Sequence, residues 1–469
     1  MKEGNALKAG VWYIISNFIS KSILYICTPL YTRLLTTAEY GHYSNFISWQ
    51  SILAAFVTFD LSSSVGIAYI DYKNDWEFNE FISTISICSV LIPLMFSVPI
   101  LLCSDWFVRF FNLDKSYLII LLFYLCFCNN LQVYQAEQRS KIRYKLSSIL
   151  TLLISIGGVS FTLIFVLSLR NNLMGIILGN VLSNVVINVG ILSVILKKTF
   201  VFKWKYVRYA LLISIPLIPH ILAGTILGSS DKVMITKICG SEKTALYSLV
   251  FTIAMIVTMF ASSINKAWVP WFFDRMSNGD NDSIKKAVRR IFPILSISAI
   301  SICLTAPEIV LILGGKSYLE SVPLIPPLIL HCVCNFVSTL YINIEFYNKK
   351  TFGISVATVI SSIMNLLLNW IFIYAFGYGA AAYTTLFSSV LTLIFHLYKI
   401  KKQGMLQVFD NKYNILVLIV TFIACFFMLF IYPLRIVRYS LITVIIVVGY
   451  VLICKNKGKI YEVVKMLVK

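Results

Sequence analysis

Long apolar runs separated by short polar connections recur along the whole chain of 469 residues. Each run is about 20 residues long, which at about 1.5 Å rise per residue lets a helix cross the hydrocarbon core of a bilayer. The pattern therefore predicts an all-α, polytopic membrane protein. About fourteen transmembrane helices are expected, near residues 11–30, 43–66, 80–103, 116–136, 147–168, 173–196, 209–228, 242–264, 289–306, 322–344, 353–375, 378–398, 413–432 and 438–454.

The composition agrees with this interpretation and excludes other classes. Apolar residues make up 59% of the chain and charged residues only 13%. The connections are too short for a soluble catalytic domain, so no catalytic residue is predicted. The eleven cysteines lie scattered in apolar runs, and the close pairs Cys126/Cys128 and Cys332/Cys334 lack the spacing of zinc sites. We predict no metal site.

The net charge of +20 reflects membrane orientation rather than nucleic-acid binding. Of the 40 basic residues, 29 fall in the even-numbered connections and the two tails, ten fall in the odd-numbered connections, and Lys21 lies within a span. Because basic residues concentrate on the cytoplasmic side, both termini are expected to be cytoplasmic.

A weak internal repeat suggests two halves. The segments PLYTRLLTTAEYGHYS (Pro29 to Ser44) and VMITKICGSEKTALYS (Val233 to Ser248) align at an offset of 204 residues, which superposes the first helical hairpin on the seventh and eighth spans. A parallel repeat of two six-helix lobes about an axis along the membrane normal is therefore predicted. The expected units are residues 1–200, residues 201–400, and two additional helices with a basic cytoplasmic tail in 401–469.

The segments LLTTAEYGHYS after the first span, DKVMITKICGSEKTALYS after the seventh and AWVPWFFDRM after the eighth carry a family resemblance. Over roughly residues 5–400 the chain resembles the polysaccharide-biosynthesis flippases, the Wzx-type O-antigen and capsule flippases of the multidrug/oligosaccharidyl-lipid/polysaccharide exporter superfamily. The resemblance implies a two-lobed transporter of the bacterial cytoplasmic membrane. It would move an undecaprenyl-diphosphate-linked oligosaccharide to the outer leaflet by alternating access, without a cofactor but coupled to H⁺ or Na⁺. A polysaccharide polymerase and a chain-length regulator are the expected protein partners.

Lys21 lies at the centre of the first span, where a Lys stem is too short to reach either interface. Tyr13, Asn17 and Lys21 recur every four residues, so one helix face is polar. The charge therefore needs a water-filled cavity, an anionic ligand such as a diphosphate, or a buried carboxylate. We predict that Lys21 and Asn17 contact the substrate or gate its passage; the alternative is a structural ion pair.

Asp60, two-thirds along the second span, is the expected partner of Lys21 across the hairpin and a candidate for proton coupling. The alternative is an Asp near the interface, followed by a run of three serines. In the seventh span, Pro216 and Pro219 predict a bend or break that acts as a hinge, with His220 beside it either facing the cavity or packed. Asp231 and Lys232 are expected to be an exposed gate pair near the outer interface.

Lys266 and Arg275 flank Trp268 and Trp271 at the inner end of the eighth span. They are candidates to meet incoming phosphates, although an aromatic belt with positive-inside charges explains the same pattern. Glu345, beside Lys349 and Lys350, has the pattern of a local interface charge. The fourth span carries amides that suit sugar binding or helix packing equally well, at Asn129, Asn130, Gln132 and Gln135.

Four other functions compete with this interpretation. A cation-coupled multidrug exporter of the same superfamily would share the fold, but its substrates favour an acidic cavity. A lipid-linked peptidoglycan-precursor or teichoic-acid flippase would differ only in head group. A polysaccharide polymerase or another membrane enzyme needs a large outer loop, and no outer connection here is long enough. A non-transporting scaffold would leave Lys21 and the repeat unexplained.

Overall fold

The computed structural model describes residues 3–141 and 143–443, without the side chains of residues 3–15, 17, 21, 24 and 144. Within these ranges the chain forms helices and no strand, which confirms the all-α class. The 3-10 segments are Leu61–Ser64, Ile215–Leu217, Lys316–Leu324 and Leu406–Val408. The α-helices of the described residues are α1 (Glu3–Leu34), α2 (Thr37–Val57), α3 (Val65–Asp71), α4 (Asp75–Leu102), α5 (Ser104–Phe111), α6 (Lys115–Phe127), α7 (Asn130–Ser140), α8 (Tyr144–Ser168), α9 (Asn172–Lys198), α10 (Trp204–Ser214), α11 (Ile218–Cys239), α12 (Ser241–Ser277), α13 (Asn281–Leu304), α14 (Ala306–Leu313), α15 (Ile325–Tyr347), α16 (Phe352–Phe376), α17 (Ala380–Lys402) and α18 (Asn411–Ile431).

The helices coincide with the predicted apolar runs. Eleven helices of the described residues are long and apolar enough to cross a membrane, and the bent pair of α2 with Leu61–Asp71 brings the number to twelve. The predicted first span lies within α1, which has 32 residues. Most of the predicted fourteenth span, 438–454, lies outside the described residues. The count of fourteen therefore stays a prediction.

The two halves of the chain repeat the same helix pairings. In the first half α1 packs on α8, α8 on α9 and α6 on α9. In the second half α11 packs on α16, α16 on α17 and α15 on α17. A parallel repeat of two helical units produces this equal order of pairings. The helix that follows, α18, packs against α13 and α15. The unit boundaries at residues 200 and 400 stay a prediction.

Three predicted spans are broken near their middles. The second span bends by 47° between α2 and the segment Leu61–Asp71, and Phe59 and Asp60 adopt φ values of +49° and +43° there. This left-handed conformation costs roughly 1–2 kcal/mol for each residue with a side chain. The fourth span breaks between α6 and α7, and the seventh breaks at the 3-10 turn Ile215–Leu217, which contains Pro216. The sequence analysis predicted only the break at the prolines.

The orientation of the helices in the membrane is testable by cysteine labelling in a background without native cysteines. We expect an external, membrane-impermeant reagent to modify thiols introduced at Lys115 and Lys316, and not thiols at Arg143 and Lys401. The reason is the unequal division of basic residues between the two sides. All four positions are exposed to solvent, so accessibility at the surface is matched. Labelling at Lys401 in intact cells would contradict the orientation.

Candidate functional site

A cavity of about 570 Å³ lies between the two halves of the chain. Its first-half lining comes from α2, α6, α7 and α9, and includes Gln50, Gln132 and Asn184. The second half contributes Ile221 and Thr225 of α11. A cavity at the interface of two repeats is where transporters of this kind of architecture bind their substrates.

An adjoining cavity of about 390 Å³ lies within the first half. It shares Tyr124, Cys128, Gln132 and Asn184 with the larger cavity, so the two cavities lie side by side. Most of its lining side chains are hydroxyls or neutral amides, and the charged one among the described residues is Arg139. The lining is therefore suited to a ligand rich in hydrogen-bonding groups, with one guanidinium available to an anionic group.

The break between α6 and α7 places the amides of the fourth span. Asn188 of α9 accepts the backbone N–H of Leu131 at 2.7 Å, which satisfies a donor released by the break. Gln132 and Gln135 line the cavity. Asn129 and Asn130 are buried instead, and Asn129 donates to Ser89 Oγ at 3.2 Å. The structure thus divides the four amides between cavity lining and helix packing. The cavity residues Asn180 and Asn184, and the anchor Asn188, had no sequence signal beyond being polar in an apolar helix.

The halves touch at the ends of α1, α2 and α12 that the charge distribution places outside. A Cβ at Gly41 would lie 1.8 Å from the carbonyl oxygen of Ser241, so only glycine permits this approach of the two backbones. Thr32 donates to the carbonyl of Leu313. The Tyr40 ring meets the Tyr318 ring edge-on, at 6.1 Å between centroids. These contacts close the cavity at this end.

Asp60 lines the larger cavity, at the break of the second span. Its carboxylate accepts a hydrogen bond from Ser62 Oγ at 2.9 Å. Its backbone carbonyl accepts Ser214 Oγ at 3.1 Å, and Ser214 ends α10 next to Pro216. The breaks of the second and seventh spans are therefore in direct contact, which the sequence did not indicate.

Lys21 and Asn17 lie in α1, but their side chains are outside the described residues, so their contacts and the pairing of Lys21 with Asp60 stay predictions. The preceding residue, Ser20, lines the smaller cavity and hydrogen-bonds Ser155 of α8. The backbone of residue 21 is therefore adjacent to a residue of the cavity lining.

The seventh span is shared between the two halves. α10 packs on α4 and on the 3-10 turn Leu61–Ser64 of the first half, whereas α11 packs on α16 of the second half and on α2 of the first. Pro216 lies in the intervening 3-10 turn and Pro219 in the first turn of α11, so the predicted break is present. His220 is half-buried, with Nδ1 buried and without a hydrogen-bond partner among the described residues. Its neighbour Ile221 lines the cavity.

Lys266 and Arg275 lie at the far end of α12. Lys266 is exposed. Arg275 pairs with Asp280 at 3.3 Å and lies over the Trp271 ring, 5.9 Å from its centroid. The Arg275 guanidinium is thus paired with a carboxylate of the connection between α12 and α13. A contact of either residue with incoming phosphate stays a prediction.

Asp231 is buried within the second half, with only 2% of its surface exposed, so the prediction of an exposed gate pair was wrong for this residue. Its carboxylate accepts hydrogen bonds from Asn369 Nδ2 at 2.6 Å, from Thr385 Oγ1 at 2.8 Å and from the Tyr247 hydroxyl. The donors come from α16, α17 and α12. Lys232 instead lies over the Phe251 ring, 4.9 Å from its centroid. A buried carboxylate within a membrane helix is a candidate for a functional position.

Glu345 is also buried, with 0% of its surface exposed. His396 Nδ1 lies 2.5 Å from its Oε1, and Lys399 Nζ lies 3.7 Å from its Oε2. Because two basic groups of α17 face it, its charge is balanced where the sequence showed only Lys349 and Lys350 nearby.

Comparison with known proteins identifies the fold. The chain is similar to the lipid II flippase MurJ in an inward closed conformation, with a TM-score of 0.71 and 15% identity over 93% of this chain and 99% of MurJ. It is also similar to a MOP superfamily transporter from Pyrococcus furiosus, at a TM-score of 0.60 and 15% identity over 86% and 99% of the two chains. An outward-facing multidrug resistance MATE family transporter gives a TM-score of 0.55 and 16% identity, with the same coverage. These identities establish the fold alone.

The class is therefore a multi-pass membrane protein with the fold of the MOP superfamily transporters. A family profile described as "Polysaccharide biosynthesis protein" matches residues 6–276, more than half of the chain. The chain belongs to this polysaccharide biosynthesis family, which confirms the resemblance found in the sequence. Comparison with curated protein sequences gave no significant match.

Proposed function

We propose that the protein is a flippase that translocates an undecaprenyl-diphosphate-linked oligosaccharide, the repeat unit of an O-antigen or capsule, across the bacterial cytoplasmic membrane. One observation carries this proposal: the two adjoining cavities are lined mainly by neutral amides, hydroxyls and small apolar groups, and their charged side chains among the described residues are Asp60 and Arg139. Neutral amides complement sugar hydroxyls, and a guanidinium complements phosphate oxygens. Membership in the polysaccharide biosynthesis family supports the same substrate class.

Translocation proceeds by alternating access. The contacts of Gly41 with Ser241 close one end of the cavity, and the opposite movement requires the halves to rock against each other. The break at Pro216 supports a hinge there, because proline removes a backbone donor within the span, and α10 before the break packs on α4 of the first half. The enclosed cavity holds the polar head group, while the lipid chain stays in the bilayer. No covalent step is involved, so the protein acts as a transporter and not as an enzyme.

Transport is coupled to H⁺ or Na⁺ in this proposal, and Asp231 is the group best placed for the coupling. Its carboxylate is buried among neutral donors, without a basic partner within 4.0 Å in the described part of the chain. Such a carboxylate gains most from binding a proton or a small cation. At the offset of the sequence repeat the first half has Cys27 in this place, so the coupling group belongs to the second half.

The second candidate is a flippase for a lipid-linked peptidoglycan precursor. The observation that favours it is the similarity to the lipid II flippase MurJ over 93% of this chain. A multidrug exporter is less favoured, since the cationic Arg139 offsets the anionic Asp60 and the rest of the lining is neutral, which gives a cationic drug little net attraction. In either flippase role the protein functions beside the polymerase and chain-length regulator of the same polysaccharide.

Deleting the gene is expected to remove the surface polysaccharide, because its lipid-linked repeat unit stays at the cytoplasmic leaflet. Mass spectrometry of extracted lipids should show accumulated undecaprenyl-diphosphate oligosaccharide, and its mass would identify the sugars. A plasmid copy of the gene serves as the control and should restore the surface polymer. Normal surface polysaccharide without accumulation would refute the proposal, and accumulation of the peptidoglycan precursor would favour the second candidate.

A further inference from the structure

The two halves use their polar residues differently. In the second half the amides are engaged with neighbouring side chains: Asn365 Nδ2 donates to Thr385 Oγ1 at 3.2 Å, and Asn369 Nδ2 donates to Asp231. In the first half, Gln132 is exposed to the cavity and has no hydrogen-bond partner among the described residues. Asn184 bonds only within its own helix, through Nδ2 to the carbonyl of Asn180 at 2.9 Å. Hydrogen-bonding capacity is thus left open on one side of the cavity.

Three polar residues form an ordered row on α7, and of these Gln135 already donates through Nε2 to Thr151 Oγ1 at 2.9 Å. Gln132, Gln135 and Arg139 are separated by three and four residues, so they lie on one face of the helix. All three line the smaller cavity. Arg139 is seven residues beyond Gln132, roughly 10 Å along the helix axis at 1.5 Å per residue. It lies one residue before the end of α7, whereas Gln132 lies near the break in the middle of the span.

Each end of this row suits a different chemical group. A carboxamide both donates and accepts, which matches sugar hydroxyls, and Asn184 of α9 adds a second amide beside Gln132. The Arg139 guanidinium offers parallel donors that match phosphate oxygens and carries the charge that a diphosphate requires. In a lipid-linked oligosaccharide the diphosphate joins the lipid to the sugars. Diphosphate and first sugars therefore follow each other along the ligand as Arg139 and Gln132 follow each other along α7.

We propose that the first half contains a divided recognition site, in which Arg139 binds the diphosphate at the mouth and Gln132 with Asn184 bind the first sugars deeper in the cavity. This inference rests on the proposed function and adds to it an assignment of specificity. Sugar recognition belongs to the first half alone, and the second half contributes the coupling group. The amides around Gln132 are then the residues that distinguish one oligosaccharide from another.

Binding of two lipid probes to two kinds of variant tests whether Arg139 binds the diphosphate while Gln132 and Asn184 bind the sugars. Full-length protein in nanodiscs is titrated with the lipid-linked oligosaccharide extracted from the deletion strain, and with undecaprenyl diphosphate that carries no sugar. Gln132→Met and Asn184→Leu keep the side-chain size and are expected to weaken oligosaccharide binding about fivefold to tenfold, since each loses hydrogen bonds to sugar. Binding of undecaprenyl diphosphate should stay unchanged. Arg139→Gln should weaken both probes by about tenfold or more.

Ser193→Ala is the matched control, because Ser193 lies on α9 like Asn184 but is exposed, lines neither cavity and bonds only the carbonyl of Val189 in its own helix. It should leave both affinities within about twofold. Equal losses for both probes in Gln132→Met and Asn184→Leu, or no loss in either, would overturn the divided site while leaving the flippase intact. A wild-type protein that binds neither probe would instead overturn the proposed function. Gel filtration of each variant checks that it folds. Gln132→Met and Asn184→Leu are two independent tests of sugar binding.

Discussion

Asp231→Asn is expected to stop ion-coupled transport while leaving the protein folded in the membrane. Asparagine has nearly the same shape, but it carries no charge and turns one acceptor into a donor facing Asn369, Thr385 or Tyr247. The lost and mismatched hydrogen bonds should lower the free energy of unfolding by about 1–3 kcal/mol. Without a carboxylate, the site no longer exchanges a proton or cation. Flipping of the lipid-linked oligosaccharide in proteoliposomes should fall by about tenfold or more, which corresponds to roughly 1.4 kcal/mol in the barrier.

A matched control comes from the other buried carboxylate of the second half. Glu345→Gln neutralises a side chain that pairs with His396 and Lys399, away from the Asp231 cluster. We expect it to lower stability, because it leaves those basic groups without their carboxylate, but to preserve the response of flipping to an imposed pH or Na⁺ gradient. Full gradient-dependent flipping by Asp231→Asn would contradict the coupling role. If Asp231→Asn and Glu345→Gln lost the gradient response equally, the loss would be a general effect of removing a buried charge and not a sign of coupling at Asp231.

The burial of Asp231 could not be predicted from the sequence, because two of its hydrogen-bond partners lie far away along the chain. Asn369 and Thr385 are 138 and 154 residues from Asp231 and belong to spans that are apolar on average. Hydropathy averages such isolated polar residues away, so the sequence predicted the all-helical membrane fold but not which polar residues the helices bury. An Asp followed by Lys near the end of a span has the same local pattern whether its neighbours are water or other helices.

Helix breaks were predictable only where a residue forbids the helix. Pro216 lacks a backbone donor, and the seventh span breaks at that residue. Asp60 breaks the second span without any proline: local hydroxyls compete for its backbone, and Ser63 Oγ and Ser214 Oγ both donate to its carbonyl. The contact with Ser214 forms only in the folded protein. The left-handed conformations of Phe59 and Asp60 therefore depend on tertiary structure.

Helical periodicity also could not predict which polar residues line the cavity. Helical periodicity places Gln132 and Gln135 on one face of the fourth span, but a polar face suits a cavity and a packed interface equally well. The break after Phe127 and the position of α9 decide between them: Gln132 faces open space, whereas Asn129 is buried beside Ser89. The family resemblance predicted that a cavity exists. It did not predict that the amides lining the smaller cavity come from the first half.

Lys21→Ala is expected to abolish surface polysaccharide at normal protein levels. An ammonium near the midplane of the first span is too deep to reach either interface, so it requires an anionic partner or water. The adjacent Ser20 lines the cavity, which brings the backbone of residue 21 to the substrate space. Lys21→Arg keeps the charge but changes the donor geometry, and should retain part of the activity. Surface polymer is measured by immunoblotting, alongside the amount of membrane-inserted protein.

A structural ion pair with Asp60 predicts a different pattern from a substrate contact. If Lys21 only balances Asp60, then Lys21→Ala leaves a carboxylate without its partner, and adding Asp60→Asn should restore both protein level and export. If Lys21 contacts the diphosphate or gates its passage, the double variant stays inactive, because the positive charge is still missing. Asp60→Asn alone separates these cases further. If Lys21 pairs with Asp60, this variant should lower the protein level and export. If Lys21 contacts the substrate, the variant should have a small effect, since Ser62 can still donate to the amide oxygen. Full export by a stably inserted Lys21→Ala protein would exclude both the contact and the gate.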